Sequence, residues 1–320
     1  MFLIFDTETT GLPKKWNAPI SDSDNWPRCI QLAWQLHDIK GDLISNHSYL
    51  LKPEGFTIPF EAEKIHGIST DLASKIGKNI NEVLDLFISD YNKSGFLVGH
   101  NVKFDINIIG AELYRIGHSI DITKKDVLDT CNELTANVCK LPGGRGGKYK
   151  YPTLIEIYSL LFKEKFKEAH NASADVEATS RVFFELVRKA VFDQSVFKGY
   201  PDLIENIENE ENIPIPLLGL KHLNLKKESE RIKKALIKEE NNDENISAEI
   251  PKQLINTPFV HLHNNSQFSV LQSTSRIINL VNKAAEFKMP AIAITDRANM
   301  MGCFHFIKAI KNYNTNISKE

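Results

Sequence analysis

Short apolar runs and helical periodicities alternate along the first 190 or so residues of this chain. β-favouring apolar runs predict strands at residues 1–5, 29–37, 43–51, 96–99 and 126–131. Apolar residues at helical spacing predict helices at residues 80–91, 104–116, 153–162 and 176–191. Three early strands followed by strands interleaved with helices predict an α/β fold, with a mixed sheet flanked by helices.

The pattern changes after residue 192. Residues 193–256 are rich in Glu, Asn, Lys and Ile and poor in aromatic residues, which predicts a charged linker with one helix at 225–237; a docking segment fits equally well. Residues 257–320 regain order, with strands predicted at 259–263 and 291–296 around a helix at 275–287. We therefore expect a domain at 1–192, a linker at 193–256 and a partial βαβ domain at 257–320.

Composition narrows the class of protein. A chain of 320 residues with 42% hydrophobic residues can fill a sizeable core, and its net charge of −2 argues against a protein that coats nucleic acid nonspecifically. The four cysteines have no paired spacing, so neither a disulfide framework nor a zinc site is expected. No run approaches membrane-spanning length and the apolar start reaches Asp6 too early for a signal peptide, which predicts a cytoplasmic protein without membrane contact.

Two acids follow the first predicted strand in the run DTETTGL. Alternate residues of a strand share a face, so Asp6 and Glu8 point the same way. Two neighbouring carboxylates repel, and one would be protonated unless a cation lay between them. A hard divalent ion resolves that conflict, whereas an isolated D-x-E is more often a pair of solvated acids.

Two later segments supply the rest of a possible site. Asp105, in HNVKFD, falls in the first turn of a predicted helix, where an ordinary N-terminal acid is an equally good interpretation. His170 and Asp175, in HNASAD, would lie roughly 140° apart on one helix, so His170 must precede the helix if both address one site. Asn171 or Ser173 would then cap that helix.

One chemistry uses every member of this set. Two metal ions about 4 Å apart activate a water and stabilise the leaving oxygen of a phosphodiester, and they require several carboxylates and a base. Asp6, Glu8 and Asp175 would be the inner ligands and Asp105 would hold the second ion. His170 would accept the proton of the attacking water, because histidine titrates near neutrality.

The ordered motifs DTETTG, HNVKFD and HNASAD resemble those of the DEDDh group of 3′–5′ exonucleases, in particular the proofreading epsilon type of bacterial DNA polymerase III. The resemblance covers roughly residues 1–190 and implies an RNase H-like fold, two Mg²⁺ or Mn²⁺ ions and a DNA 3′ end as substrate. The His66-Gly67-Ile68 segment and the Asp129-Thr130 pair on a core strand also match. By the same resemblance, Thr7, Leu12 and His66 border the terminal nucleotide.

The last segment resembles the start of the PHP domain at the N-terminus of bacterial DNA polymerase III alpha subunits, through HLHNNSQFSVLQ and MPAIAITDRANMMG. Asn265 and Arg297 stand where metal-binding PHP domains have histidines, so no metal site is expected there. The resemblance covers about the first quarter of such a domain. It implies DNA polymerase III subunits as partners and a chain that begins a fused proofreader and polymerase.

Three functions remain open from the sequence. The leading hypothesis is a metal-dependent 3′–5′ exonuclease that proofreads DNA during replication. An exoribonuclease of the same group that trims RNA is the nearest alternative, because both substrates offer the same phosphodiester. A non-catalytic replisome tether is the third. A loop with Arg145, Lys148 and Lys150 among tyrosines would contact single strands or be merely solvated.

Overall fold

The computed structural model describes residues 1–166, 170–197, 215–243, 259–269, 272–297 and 299–317. The chain divides into two compact units, residues 1–239 and 240–320, which are treated separately below. Within the described ranges, no helix has both the length and the apolar character needed to cross a bilayer.

A mixed sheet forms the centre of the first unit. Its five strands, counted over the described residues, have the order β3-β2-β1-β4-β5. β1 pairs antiparallel with β2 and parallel with β4, while β2–β3 is antiparallel and β4–β5 is parallel. The strands are β1 Phe2–Thr9, β2 Cys29–His37, β3 Leu43–Leu50, β4 Phe96–Gly99 and β5 Asp126–Asp129.

Helices cover both faces of this sheet. Those of the first unit are α1 Phe60–His66, α2 Thr70–Ile76, α3 Ile80–Lys93, α4 Lys103–Arg115, α5 Glu133–Cys139, α6 Leu154–Phe162, α7 Ala172–Arg188 and α8 Leu225–Asp243. Most start at a polar cap. Asn79 caps α3, Thr153 forms a capping box with Glu156 on α6, and Asn171 caps α7.

Alternation along β1 divides the core into two layers. Phe2 and Ile4 point to one face and pack with α6 and α7. Leu3 and Phe5 point to the other face and pack with α3 and α4. A strand buried on both faces reads as a continuous apolar run, which is why residues 1–5 show no polar alternation.

The structure corrects several details of the predicted elements. β1 continues through Thr9, because its pairing with β2 continues to Cys29, so Asp6 lies within the strand and not at its end. β5 is an edge strand and not a core strand, and it ends at Asp129 because Asn132 caps α5 directly afterwards. Helices α1, α2 and α5 were not predicted, since seven residues are too short to display helical periodicity.

Part of the predicted linker is folded onto the first unit. Helix α8 buries Leu225 and Ile232 against Ile68 and Leu72 of the α1–α2 region. It extends the helix predicted at 225–237 to Asp243. Of that linker, residues 198–214 and 244–256 lie outside the described residues.

In its described residues the second unit contains two packed helices, α9 Ile277–Glu286 and α10 Met301–Ile317. Ile277 and Val281 of α9 pack with Ala309 of α10. The two predicted strands are reduced, in the described residues, to one parallel bridge between His261 and Ile292. α10 was not predicted.

Candidate active site

Three of the predicted carboxylates converge at the α7 side of the sheet. Asp6, Glu8 and Asp175 each offer an oxygen, and these oxygens lie within 4.8 Å of one another. Asp6 and Glu8 share the face of β1 that carries Phe2 and Ile4, so they face α7, and Asp175 lies in the first turn of that helix. The strand period and the helix start thus place acids from distant parts of the sequence together.

Gln31, which the sequence did not indicate as part of the site, holds the start of α7 in place. Gln31 of β2 lies opposite Glu8 in the sheet, donates from Nε2 to Asn171 Oδ1 at 3.1 Å, and accepts from Ala172 N at 3.2 Å. It therefore ties the cap of α7 to the strand next to the acids. Sequence spacing gives no sign of this contact, because the partners are 140 residues apart.

Asp105 approaches from the opposite face. It lies in the first turn of α4, which packs on the Leu3 and Phe5 side of the sheet. Its Oδ1 accepts hydrogen bonds from Thr7 N at 2.9 Å and Thr7 Oγ1 at 2.6 Å. Asp105 is thereby held beside the other three acids without joining their tight cluster.

Burial and repulsion between charges raise the pKa values of all four acids. Burial, followed by the charges of Asp105 and Asp175, raises the pKa of Asp6 well above its ordinary range, and burial likewise raises that of Glu8. Burial raises the pKa of Asp105 to about 7 against the opposing hydrogen bonds from Thr7. It also raises the pKa of Asp175 to about 7.

These acids fit a hard divalent cation. The donor set consists of carboxylate oxygens, which Mg²⁺ and Mn²⁺ prefer. No Lys or Arg in the described part of the chain forms an ion pair with them, although buried acids elsewhere, such as Glu112 and Glu185, have arginine partners. Burial and, after it, repulsion between charges raise their pKa values, and a bound cation would relieve the repulsion.

His170 lies on the loop directly before α7. It adopts a positive φ of 69°, and its backbone N–H donates to Asp175 Oδ2 at 3.1 Å. The residue is exposed, so its ring can reach solvent beside the acids. The loop position required by the helical geometry is therefore the one observed.

His66 is a buried neighbour of this site, at the end of α1. Burial lowers its pKa to about 4, and both His170 and Lys226 lie close enough to contribute to the shift. Its Nδ1 accepts a hydrogen bond from Ile68 N at 3.0 Å, so the neutral ring carries its proton on Nε2. The Thr9 backbone opposes the shift, yet Nε2 makes no well-formed hydrogen bond among the described residues.

The remaining predicted residues differ in accessibility. Thr7 is 7% exposed and uses both its amide and its hydroxyl on Asp105. Leu12 is 74% exposed. Asp129 accepts from the amides of Asn101 and Cys131, each at 2.8 Å, and so supports the turn that leads into α4.

The loop that contains Arg145, Lys148 and Lys150 has part of its positive charge neutralised by neighbouring acids. Lys148 forms an ion pair with Glu133 at 2.8 Å, and Lys150 forms one with Glu156 at 2.7 Å. Tyr149 and Tyr151 are exposed. Because both lysines already have acidic partners, this loop offers less free positive charge than its sequence suggests.

In the second unit, Asp296 is engaged by hydroxyl groups. Its oxygens accept from Ser266 N and Ser266 Oγ, both at 2.6 Å, and from Ser269 Oγ at 2.8 Å. Thr295 Oγ1 lies 3.1 Å from His263 Nδ1. The predicted positions Asn265 and Arg297 flank this network, and Asn265 Oδ1 is buried with no partner among the described residues.

Comparison with known families agrees with this geometry. The sequence profile of the exonuclease family matches residues 3–183, which contain every acid of the site. The chain belongs to the exonuclease family. A profile of the PHP domain matches residues 261–318. With the mixed sheet, these matches confirm the expected fold class, an RNase H-like α/β domain with a PHP segment near the C-terminus.

Individual relatives match the same two regions. The chain is 27% identical over 191 residues to a PolC-type DNA polymerase III of Caldanaerobacter subterraneus, over 59% of this chain and 12% of that protein. It is 28% identical over 195 residues to the 3′-5′ exonuclease DinG of Bacillus subtilis, over 59% of this chain and 18% of that protein. The C-terminal segment is 43% identical over 53 residues to a DNA polymerase III alpha subunit of Aquifex aeolicus, over 17% of this chain and 5% of that protein. The chain thus spans a small part of the length of these relatives.

Proposed function

We propose that this exonuclease-family chain is a metal-dependent 3′–5′ exonuclease that removes nucleotides from DNA 3′ ends and proofreads during replication. The observation that carries the proposal is the convergence of Asp6, Glu8 and Asp175 within 4.8 Å, without cationic partners in the described ranges. A cluster of half-buried acids with raised pKa values is costly to the fold, and cation binding gives that cost a function.

Each residue has a role in phosphodiester hydrolysis. Two bound divalent ions would supply an activated water and stabilise the leaving oxygen. Asp6, Glu8 and Asp175 would hold one ion, and Asp105, positioned by Thr7, would hold the second. His170, exposed beside Asp175, accepts the proton of the attacking water.

Two further side chains suit the terminal nucleotide. The Nε2–H of His66 is a donor without a well-formed bond among the described residues; because this atom is buried, it would contact a substrate oxygen only after the residues around it shift. The exposed side chain of Leu12 can pack against the terminal base. Thr7 acts on the substrate through Asp105, because both of its polar groups are committed to that acid.

DNA is the substrate we propose over RNA. The PHP match and the DNA polymerase III relatives connect the chain with replication, which would place it in the cytoplasm with DNA polymerase III subunits as partners. The four acids and His170 would act only on the phosphodiester, which DNA and RNA share. Discrimination against ribose is therefore a separate property, and the assay below measures it directly.

The test uses the full chain and single strands labelled at the 5′ end. With Mg²⁺ or Mn²⁺ we expect a ladder of stepwise shorter labelled DNA, because removal begins at the 3′ end, and no reaction with a chelator. Asp6→Asn and Glu8→Gln are the matched inactive controls. A labelled RNA of the same sequence should be shortened more slowly.

Three outcomes would contradict the proposal. Immediate release of the labelled mononucleotide would indicate the opposite polarity. Faster shortening of RNA than of DNA would favour the exoribonuclease. Intact DNA at every metal concentration, despite a folded protein, would favour the tether.

A further inference from the structure

Residues 215–236 cross the surface of the first unit beside the active site, and we call them the brace. They lie beyond residues 3–183, the range of the family match, and within the region that the sequence predicts as a linker. Their polar contacts reach helix α7, including its first turns after His170, and the turn that follows His66 at the end of α1.

The first half of the brace holds the start of α7. His222 Nε2 lies 2.7 Å from Glu177 Oε2, and its Nδ1 lies 3.0 Å from Ser173 Oγ. Asn171 Nδ2, in the capping residue that follows His170, donates to Leu223 O at 2.9 Å. The turn between His170 and Asp175 is thus held by β2 on one side and by the brace on the other.

Glu177 provides further hydrogen bonds to the first half of the brace. Its carboxylate is 3% exposed and accepts from Gly219 N at 2.6 Å and Leu220 N at 3.2 Å, in addition to its contact with His222. A buried carboxylate with several hydrogen bonds is a directional anchor, because losing a donor leaves a charged group unsatisfied.

The second half holds the loop after His66. Ser229 Oγ of α8 donates to Gly67 O at 2.6 Å and accepts from Ser69 N at 3.0 Å, and Ser229 is 4% exposed. Gly67 has a φ of 79°, and a Cβ added there would come within 2.4 Å of Lys226 Cγ. Glycine is therefore required both for the turn and for the close approach of α8.

We propose that the brace is a working part of the exonuclease site, in which Ser229 positions His66 and His222 positions His170 and Asp175. This inference rests on the proposed function. Removal of each contact should affect a different kinetic constant, because His66 is assigned to substrate binding and the α7 start to chemistry.

The test compares four brace variants of the full chain with the wild type. Ser229→Ala should raise KM for single-stranded DNA about tenfold with little change in kcat, while His222→Ala should lower kcat by between about tenfold and a hundredfold. Ser229→Thr, which keeps the hydroxyl, and His222→Gln, which keeps a donor, should recover part of each loss. Lys227→Ala, an exposed neighbour on α8, is the matched control.

Amide hydrogen exchange gives a readout that does not require activity. Ser229→Ala should speed exchange at Ser69, and His222→Ala should speed exchange at Ser173 and Ala174. If the wild type degrades no DNA but these exchange rates change, the proposed exonuclease function is wrong, while the contacts of the brace with the two segments are supported.

Two results would overturn the proposal that the brace is a working part of the site. One is an active wild type whose Ser229→Ala and His222→Ala variants keep both constants within twofold. The other is a fall in apparent kcat in both variants, with KM unchanged, that matches the loss of folded protein shown by a lower melting temperature, since a smaller folded fraction reduces only the amount of active enzyme.

Discussion

At the residue scale, the four acids of the site share one electrostatic problem. Each would ionise in water near pH 4, yet the pKa values of Asp105 and Asp175 are raised to about 7 by burial. A carboxyl with a higher pKa in the folded than in the unfolded state binds more protons when folded. Its contribution therefore destabilises the metal-free fold as pH rises from about 4 to about 7.

Metal binding should reverse this trend, which gives the first prediction. Divalent ions bind the deprotonated acids, so Mn²⁺ should raise the melting temperature more at pH 8 than at pH 6. At a hundred times Kd the gain is about 2.7 kcal/mol, or roughly 5–10 °C for a domain of this size. Calorimetry with and without Mn²⁺ measures it.

The control for that measurement is Asp175→Asn, which removes one ligand. It should reduce the Mn²⁺ effect at pH 8 while stabilising the metal-free protein at the same pH, because a carboxyl with a raised pKa has been removed. An equal Mn²⁺ effect at both pH values in the wild type would mean that these acids do not bind the ion.

His170 is the subject of the second prediction. Its side chain is assigned to proton transfer and not to metal binding, so His170→Ala should lower kcat by about 10²–10⁴ while the Mn²⁺-induced rise in melting temperature survives. His118→Ala, at a histidine in the α4–β5 connection and outside the site, is the matched control. Unchanged kcat in His170→Ala would remove this residue from the mechanism.

At the element scale, the sequence predicted those strands and helices that are long enough to show a regular apolar pattern. The strands at 29–37 and 96–99 have the observed bounds, and the helix at 153–162 begins one residue early. The two strands bury all of their residues in the sheet, and the helix packs Ile157, Tyr158 and Phe162 against that sheet, so their apolar patterns dominate. Short helices such as α1 owe their form to tertiary contacts, here the burial of Ala62 beside Ile68, and carry no such pattern.

The geometry of the candidate site was predictable to the same extent. Strand alternation placed Asp6 with Glu8, and helical geometry placed His170 before α7. The contacts of Thr7 with Asp105 and of Gln31 with Asn171 were not predictable, because each joins elements about a hundred or more residues apart through one side chain. Local patterns specify which residues share a face, whereas the packing of faces specifies which residues touch.

A third prediction concerns the loop between β1 and β2, which carries Leu12. Glu112 of α4 is fully buried, lies 2.9 Å from Arg28 Nε and 3.0 Å from Arg115 Nη1, and accepts from Cys29 N. Glu112→Gln leaves two guanidinium groups without their anion, so it should lower the free energy of unfolding by about 3 kcal/mol.

Urea unfolding measures this loss against a surface control. Glu133→Gln removes an exposed ion pair with Lys148 and should cost less than about 1 kcal/mol. If the two variants lose the same free energy, the buried network contributes no more to stability than a surface pair.

At the scale of the whole molecule, the domain limits at 192 and 257 remain predictions for the polypeptide. The first compact unit extends to residue 239, because α8 packs on the α1–α2 region. Composition could not have indicated this, since α8 contributes only a few apolar side chains among many charged ones. A charged segment with a narrow apolar stripe reads as a linker until its partner surface is known.

The final prediction is that residues 257–320 do not fold as an isolated fragment. Their core in the described residues is a small cluster around Ile277, Val281 and Ala309, and their predicted strands retain only one bridge. Large apolar side chains stay exposed, among them Leu262 at 73%, Met300 at 79% and Phe304 at 72%. So little buried apolar surface does not offset the conformational entropy lost on folding.

Circular dichroism and NMR of that fragment provide the measurement, with the fragment 1–243 as the control. The control contains the complete five-stranded sheet and should melt cooperatively with dispersed amide signals. The fragment 257–320 should show a gradual loss of helical signal on heating and narrow amide dispersion, because two packed helices and one isolated bridge between His261 and Ile292 do not form a closed core. A cooperative melt of the fragment would mean that its exposed apolar residues pack in solution, and that this segment is an independent domain.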